Sequence, residues 1–128
     1  MAAHSDPYNS LTRRNFANPA HAGDLGGEYT VCASALASES ADGAIIQLAA
    51  GVRDGRLQEC RFRAYGCPHL IAAAEWLCGN IEGGLVSELA RFHVDDCMQA
   101  LSVPTSKTGR ILLLEDAIRL LDEQIDSD

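Results

Sequence analysis

The sequence predicts an α+β domain in which helices cover one face of a small three-stranded antiparallel sheet. Two patterns carry that expectation. Between residues 28 and 65 three β-type segments are separated by turn signals, and beyond residue 67 apolar residues recur at spacings of three and four. With 128 residues the chain supports one domain around one core.

Residues 1–8 are expected to form a disordered lead-in, leaving 9–128 as the domain. Asn9 or Ser10 can cap a short helix through Leu11, Arg14 and Phe16, which Asn18-Pro19 stops. Ala20 to Gly27 has the glycine content of a loop. Strands are expected over Glu28–Ala35, Ala44–Ala50 and Leu57–Tyr65. The cluster Ser38 to Gly43 forms the first turn between them and Arg53-Asp54-Gly55 the second, its Asp-Gly pair accepting positive φ. On the third strand Gln58, Cys60, Phe62 and Ala64 are expected on the drier face.

The stretch Phe62 to Ala73 organises the remainder. It reads as the end of a strand, a glycine hinge at Gly66, and the start of a helix. Pro68 suits the first helical position, where its missing N–H costs nothing. That makes Cys67 the N-cap residue, with its sulfur toward unpaired N–H groups and the positive end of the helix dipole, a location that favours thiolate. The alternative is a small apolar residue plugging a strand–helix corner. The helix runs from Cys67 to Ile81, with Leu70, Ile71, Ala74, Leu77 and Cys78 on one face. A short helix is expected over Leu85–Arg91 and another from Val94 or Asp95 to Leu101. The last begins between Thr105 and Gly109 and carries the stripe Ile111, Leu114, Ile118, Leu121 and Ile125.

Composition excludes several classes. A net charge of −8 and a pI near 4.8 argue against a nucleic-acid footprint. No apolar run approaches the ~20 residues of a membrane span, and no signal peptide is apparent, so a cytoplasmic protein is expected. Five cysteines (32, 60, 67, 78, 97) with no Cys-x-x-Cys argue against a disulfide framework or a zinc finger. Cys78 follows Cys67 by eleven residues, roughly 16 Å along a helix, so the two cannot share one metal. Cys60, Cys78 and Trp76 are expected to pack in the core.

Four blocks, in order and at fitting separations, resemble the NifU-like (IscU-type) iron–sulfur cluster assembly scaffold family. They are Tyr8-Asn9 through Asn18-Pro19 and Gly23; Gly55 to Ala73, with Arg61-Phe62, Tyr65-Gly66-Cys67 and Ile71-Ala72; Leu101 to Pro104 with Lys107; and Leu114 to Ile118. The resemblance implies an IscU/NifU N-terminal-like fold and a non-enzymatic scaffold, monomeric or weakly dimeric. It also implies an iron–sulfur cluster or iron as cargo and, as partners, a cysteine desulfurase and an Hsp70-type chaperone.

The family's three cysteine ligands are reduced here to one. Where the first belongs the chain reads Ser40-Ala41-Asp42-Gly43, leaving Asp42. Where a histidine and the third cysteine belong it has Gly109 and Arg110. Cys67 is thus the implied persulfide acceptor, with Asp42, and His69 as a possible third, as candidate metal ligands. Arg110 brings a fixed positive charge beside them, which repels a cation and stabilises a thiolate. Val103, Pro104 and Lys107 correspond to the chaperone-recognition loop. Cys32 or Cys97 could replace missing ligands, or two chains could share a cluster through their Cys67 residues. The alternative function is a metal-free adapter or regulator that binds the desulfurase or the chaperone. A thiol enzyme using Cys67 and His69 is disfavoured because no third orienting group is evident.

Overall fold

The computed structural model describes residues 9–29, 31–39 and 43–126. The lead-in over 1–8 and Asp42 therefore lie outside the described residues. Helix α1 (Ser10–Ala17) is followed by strands β1 (Val31–Glu39), β2 (Ala44–Arg53) and β3 (Arg56–Tyr65), then α2 (Pro68–Ile81). A 3-10 turn (Val86–Arg91), α3 (Val94–Leu101), a second 3-10 turn (Thr105–Lys107) and α4 (Thr108–Asp126) complete the chain.

The sheet is antiparallel in the order β1-β2-β3, as expected. Its inner face is built from small and branched residues, Ala33, Ala35 and Ala37 on β1 and Ala44, Ile46, Leu48 and Ala50 on β2, all buried. Short side chains on β1 let α4 lie close against it. The helices answer with Leu70, Ala73, Leu77, Ile111, Leu114, Ala117, Ile118 and Leu121, and Ile125 completes the expected stripe as a partly buried member.

Asn9 caps α1 by accepting the Thr12 N–H at 2.8 Å. Thr12, fully buried, donates its hydroxyl to Leu101 O at 2.6 Å and ties α1 to the end of α3. The β2–β3 hairpin turns through Asp54 and Gly55 with positive φ at both, as the Asp-Gly signal requires.

Two expectations are corrected. β1 begins at Val31 and runs on through Ser38 and Glu39, pairing residue for residue with Val52 back to Ala44, so the turn shrinks to the segment after Glu39. On β3 the inner face is Leu57, Cys60 and Phe62, while Gln58 is exposed. A register shift at Gly51/Val52 pairs Gly51 with Glu59 and Val52 with Leu57, so the alternation changes phase across Gln58.

Glu59 is thereby turned onto the outer face, where it is 7 % exposed and fully engaged. It accepts the N–H groups of Gly26 (2.8 Å) and Gly27 (3.0 Å), the Tyr29 hydroxyl (2.8 Å) and Arg61 (3.1 Å). Arg61 also donates to Glu82 at 2.7 Å, and His21 places its ring nitrogens 2.6 Å from Glu75 and 3.1 Å from Glu82. This network binds the loop after α1 to β3 and α2. Residues 21–23 pair with Phe62 along the free edge of β3. No described helix is long and apolar enough to cross a membrane.

The Gly26 N–H, with Tyr29, Gly27 and Arg61 adding to it against burial, holds the Glu59 carboxyl below the usual carboxylate range. Its contribution to stability is therefore complete above the unfolded value of about 4.3 and lost as pH falls through the lowered folded value. Glu59→Gln should cost about 1–2 kcal/mol at neutral pH. Urea denaturation at pH 7 and pH 3 should show a smaller loss on acidification than in the parent chain.

Candidate functional site

Cys67 stands at the handover from β3 to α2. The chain reaches it through Gly66, at φ +150. A Cβ added at Gly66 would meet Leu70 Cδ2 at 3.3 Å and Ala44 Cβ at 3.4 Å. Glycine is thus needed for the backbone conformation and favoured by the closeness of β2. Pro68 occupies the start of α2 and Cys67 is its N-cap residue, half-buried and packed against the edge of the core.

The sulfur departs from one expectation. Cys67 makes no side-chain capping hydrogen bond. The first amides of α2 turn instead to its carbonyl, with Leu70 N at 3.0 Å and Ile71 N at 3.4 Å. The thiol makes no hydrogen bond to those N–H groups.

Next to the Gly66 hinge the end of β1 and the start of β2 lie side by side, and the start of α4 joins them. Glu39, the last residue of β1, is paired with Ala44, which lies against Gly66. From the first turn of α4, Arg110 directs Nη1 to Glu39 Oε1 at 3.4 Å, its side chain only 17 % exposed. A Cβ added at Gly109 would lie 4.0 Å from the other Glu39 oxygen. The three segments expected to meet at the site, the β1–β2 turn, the β3–α2 junction and the start of α4, therefore converge through Glu39, Ala44, Gly66 and Arg110. Asp42 belongs to the part of the turn outside the described residues.

His69 lies in the first turn of α2 and is 3 % exposed. Burial pushes its imidazole below the ordinary histidine value, and the Lys107 charge lowers it further. Neutral imidazole is the ligating form. Lys107 and Arg110 thus bring two cations to this end of the fold, with Glu39 opposite. Among the described residues no three His, Cys, Asp or Glu side chains converge to hold a metal ion.

The other thiols do not join Cys67. Cys32 is exposed but lies seven residues before Glu39 on β1, about 23 Å along the strand. Cys97 is fully buried, and burial pushes its thiol up to about 12. Cys60 is pushed up to about 12 by burial and by Glu82, and Cys78 well above the usual range by burial.

Two features were missed at the level of sequence. One is Glu39, assigned to a turn that was drawn too long. The other is an apolar patch on the outer sheet face, made by Leu36, Ile45 and Tyr65, which are 60 %, 41 % and 71 % exposed. Ile45 pairs directly with Tyr65, and Tyr65 is two residues from Cys67. The alternation of β2 and β3 could have revealed it, because Ile45 and Tyr65 fall on the face opposite Ile46 and Ala64.

A three-stranded antiparallel sheet with helices packed on its inner face, and a half-buried cysteine at the β3–α2 junction, defines an α+β domain with a strand–helix corner as its candidate site. The chain matches the NifU-like N terminal domain family over residues 7–121, and it belongs to that family. It is 26 % identical over 113 residues to the iron-sulfur cluster assembly scaffold protein IscU of Escherichia coli K12, covering 88 % of each chain. Its fold is similar to that of a NifU-like protein (N-terminal) from Brucella abortus, with TM-score 0.69, 18 % identity and 94 % of each chain covered. A putative iron-sulfur cluster assembly scaffold protein for the SUF system from Fervidobacterium islandicum AW-1 gives TM-score 0.72 at 11 % identity, covering 91 % of this chain and 96 % of that one. The expected family and α+β architecture are both borne out.

Gly66→Ala should destabilise the fold by about 1–3 kcal/mol, because the new methyl meets Ala44 in a backbone region closed to L-residues. A urea titration monitored by circular dichroism checks this.

Proposed function

We propose that the chain serves iron–sulfur cluster assembly as a scaffold-like protein with a reduced ligand set, in which Cys67 accepts sulfur as a persulfide. The carrying observation is the placement of Cys67, a half-buried thiol that follows the Gly66 hinge at the β3–α2 junction. The thiolate attacks the outer sulfur of a donor cysteine persulfide. A sulfur–sulfur bond forms at Cys67, the donor's sulfur–sulfur bond breaks, and the donor thiolate leaves. No external oxidant is needed and the chain acts as acceptor, not as catalyst.

Asp42, and His69 if its buried ring turns outward, are the candidate donors for iron that joins the sulfur. Four ligands are the norm for a [2Fe–2S] centre, so a complete cluster on this chain draws on donors beyond Cys67 and Asp42.

The donor, a cysteine desulfurase by family likeness, docks on the exposed apolar side chains Leu36, Ile45 and Tyr65, the last of which is two residues from Cys67. An Hsp70-type chaperone is the second partner. Of its expected recognition loop, Pro104 is exposed and Lys107 partly so, while Val103 is 8 % exposed. The alternative, a metal-free adapter for the same partners, is supported by Arg110, a guanidinium where the family resemblance leads one to expect a cysteine ligand.

Incubation with a cysteine desulfurase and cysteine should add one sulfur at Cys67, read by mass spectrometry, and none in Cys67→Ser. Persistence of the added sulfur elsewhere in Cys67→Ser refutes the assignment. Tyr65→Ala should weaken desulfurase binding about tenfold, a loss of 1.4 kcal/mol, while Cys67 still reacts with iodoacetamide at the parent rate. Retained desulfurase binding without sulfur transfer would favour the adapter.

A further inference from the structure

Near the end of α4 the fold leaves one carboxylate uncompensated. Glu115, Ile118, Arg119 and Asp122 fall at helical spacing on one stripe of α4. With Leu89 and Phe92 they line a surface cleft of about 320 Å³ between α4 and the 3-10 turn Val86–Arg91. Leu89 and Ile118 are buried and Phe92 is half-buried, so the floor is apolar. Arg119, the cation of this lining, is engaged by Asp116 at 3.2 Å and Glu115 at 3.8 Å. Among the described residues Asp122 has neither an ion-pair nor a hydrogen-bond partner. Burial, and then the like charges of Asp126 and Glu123, push its carboxyl above its ordinary value.

The helix adds to the imbalance. A helix C-terminus carries the negative pole of the dipole and favours cations. The last turn of α4 holds no basic residue, and Asp122, Glu123 and Asp126 crowd that end instead. Water compensates a fully exposed carboxylate, but Asp122 is half-withdrawn beside apolar side chains. The arrangement gains from a positive charge supplied by another molecule.

We propose that this cleft docks a basic segment of a partner protein, an apolar side chain of the segment covering Leu89, Phe92 and Ile118 and a neighbouring arginine or lysine pairing with Asp122. Charge complementarity selects that occupant. Glu123 and Asp126 continue the acidic surface beyond Asp122 and suit further cations in the same segment. The net charge of −8 draws such a segment in and disfavours a second copy of this chain. Asp122 lies twelve residues beyond Arg110 on α4, about 18 Å along its axis. The cleft therefore stands well away from the sheet end where Arg110 meets Glu39, and the proposal does not rest on the sulfur-acceptor reading.

The test titrates the isotope-labelled full chain, at low ionic strength, with a short capped peptide alternating leucine with arginine. Amide chemical shifts should move saturably and centre on Leu89, Phe92, Ile118 and Asp122. The same peptide with citrulline in place of arginine keeps the shape without the charge, and should bind at least about threefold more weakly. Asp122→Asn, nearly isosteric, should weaken the arginine peptide about threefold. Asp95→Asn removes an equal charge from an exposed position outside the cleft lining and should weaken it less than half as much. Since Asp122 has no partner within the fold, the urea midpoint of Asp122→Asn should equal or exceed that of the parent chain.

No saturable shifts, shifts centred elsewhere, or equal affinity for the two peptides overturns the proposal. So does an equal loss in Asp122→Asn and Asp95→Asn, which reduces the attraction to the overall field of an acidic chain. A lower urea midpoint in Asp122→Asn overturns it as well, because the carboxylate would then be compensated from within.

Discussion

Everything at the working end of this molecule depends on how closely the β3–α2 corner approaches β2. A Cβ at Gly66 would stand 3.4 Å from Ala44, which in turn pairs with Glu39. This contact brings the ends of all three strands level, seats Pro68 at the start of α2, and leaves the intervening Cys67 at the surface. A larger residue at 44 or a side chain at 66 would part the corner from the sheet, and α2 would lose its registration on β3. The alanines along β1 extend the same constraint, since small inner residues allow α4 to lie flat and deliver Arg110 to Glu39.

The elements whose identity depends on local chemistry were legible in the chain. Asn9 capping, the Asp54-Gly55 hairpin, the Pro68 helix start and the stripe from Ile111 to Leu121 all follow from neighbours a few residues apart, and each stands where its chemistry puts it. What escaped depends on partners distant in sequence. The phase change across Gln58 arises from how Gly51 and Val52 pair with β3, and a strand's own alternation does not encode it. β1 runs to Glu39 because Ala44 is there to pair with it, overriding the turn propensity of its serines.

The site was legible in part for the same reason. Gly66-Cys67-Pro68 is a local signature, and it marks the corner. Glu39 and Arg110 lie 71 residues apart, and only the folded sheet end makes them a pair. The sulfur's freedom from the helix amides was equally hidden, because those amides choose between two acceptors on one residue, the carbonyl and the side chain, on grounds of backbone angle.

Val103 adds a consequence of its own. It is held inward, with its N–H bonded to Met98 O at 2.9 Å, while Pro104 beside it is open to solvent. A binding protein that grips this stretch across both residues must first prise Val103 from the core. Its neighbour Leu101 carries the carbonyl to which Thr12 is tied, so the strain reaches α1. Freeing Val103 would therefore load the same short stretch of backbone that holds α3 against α1.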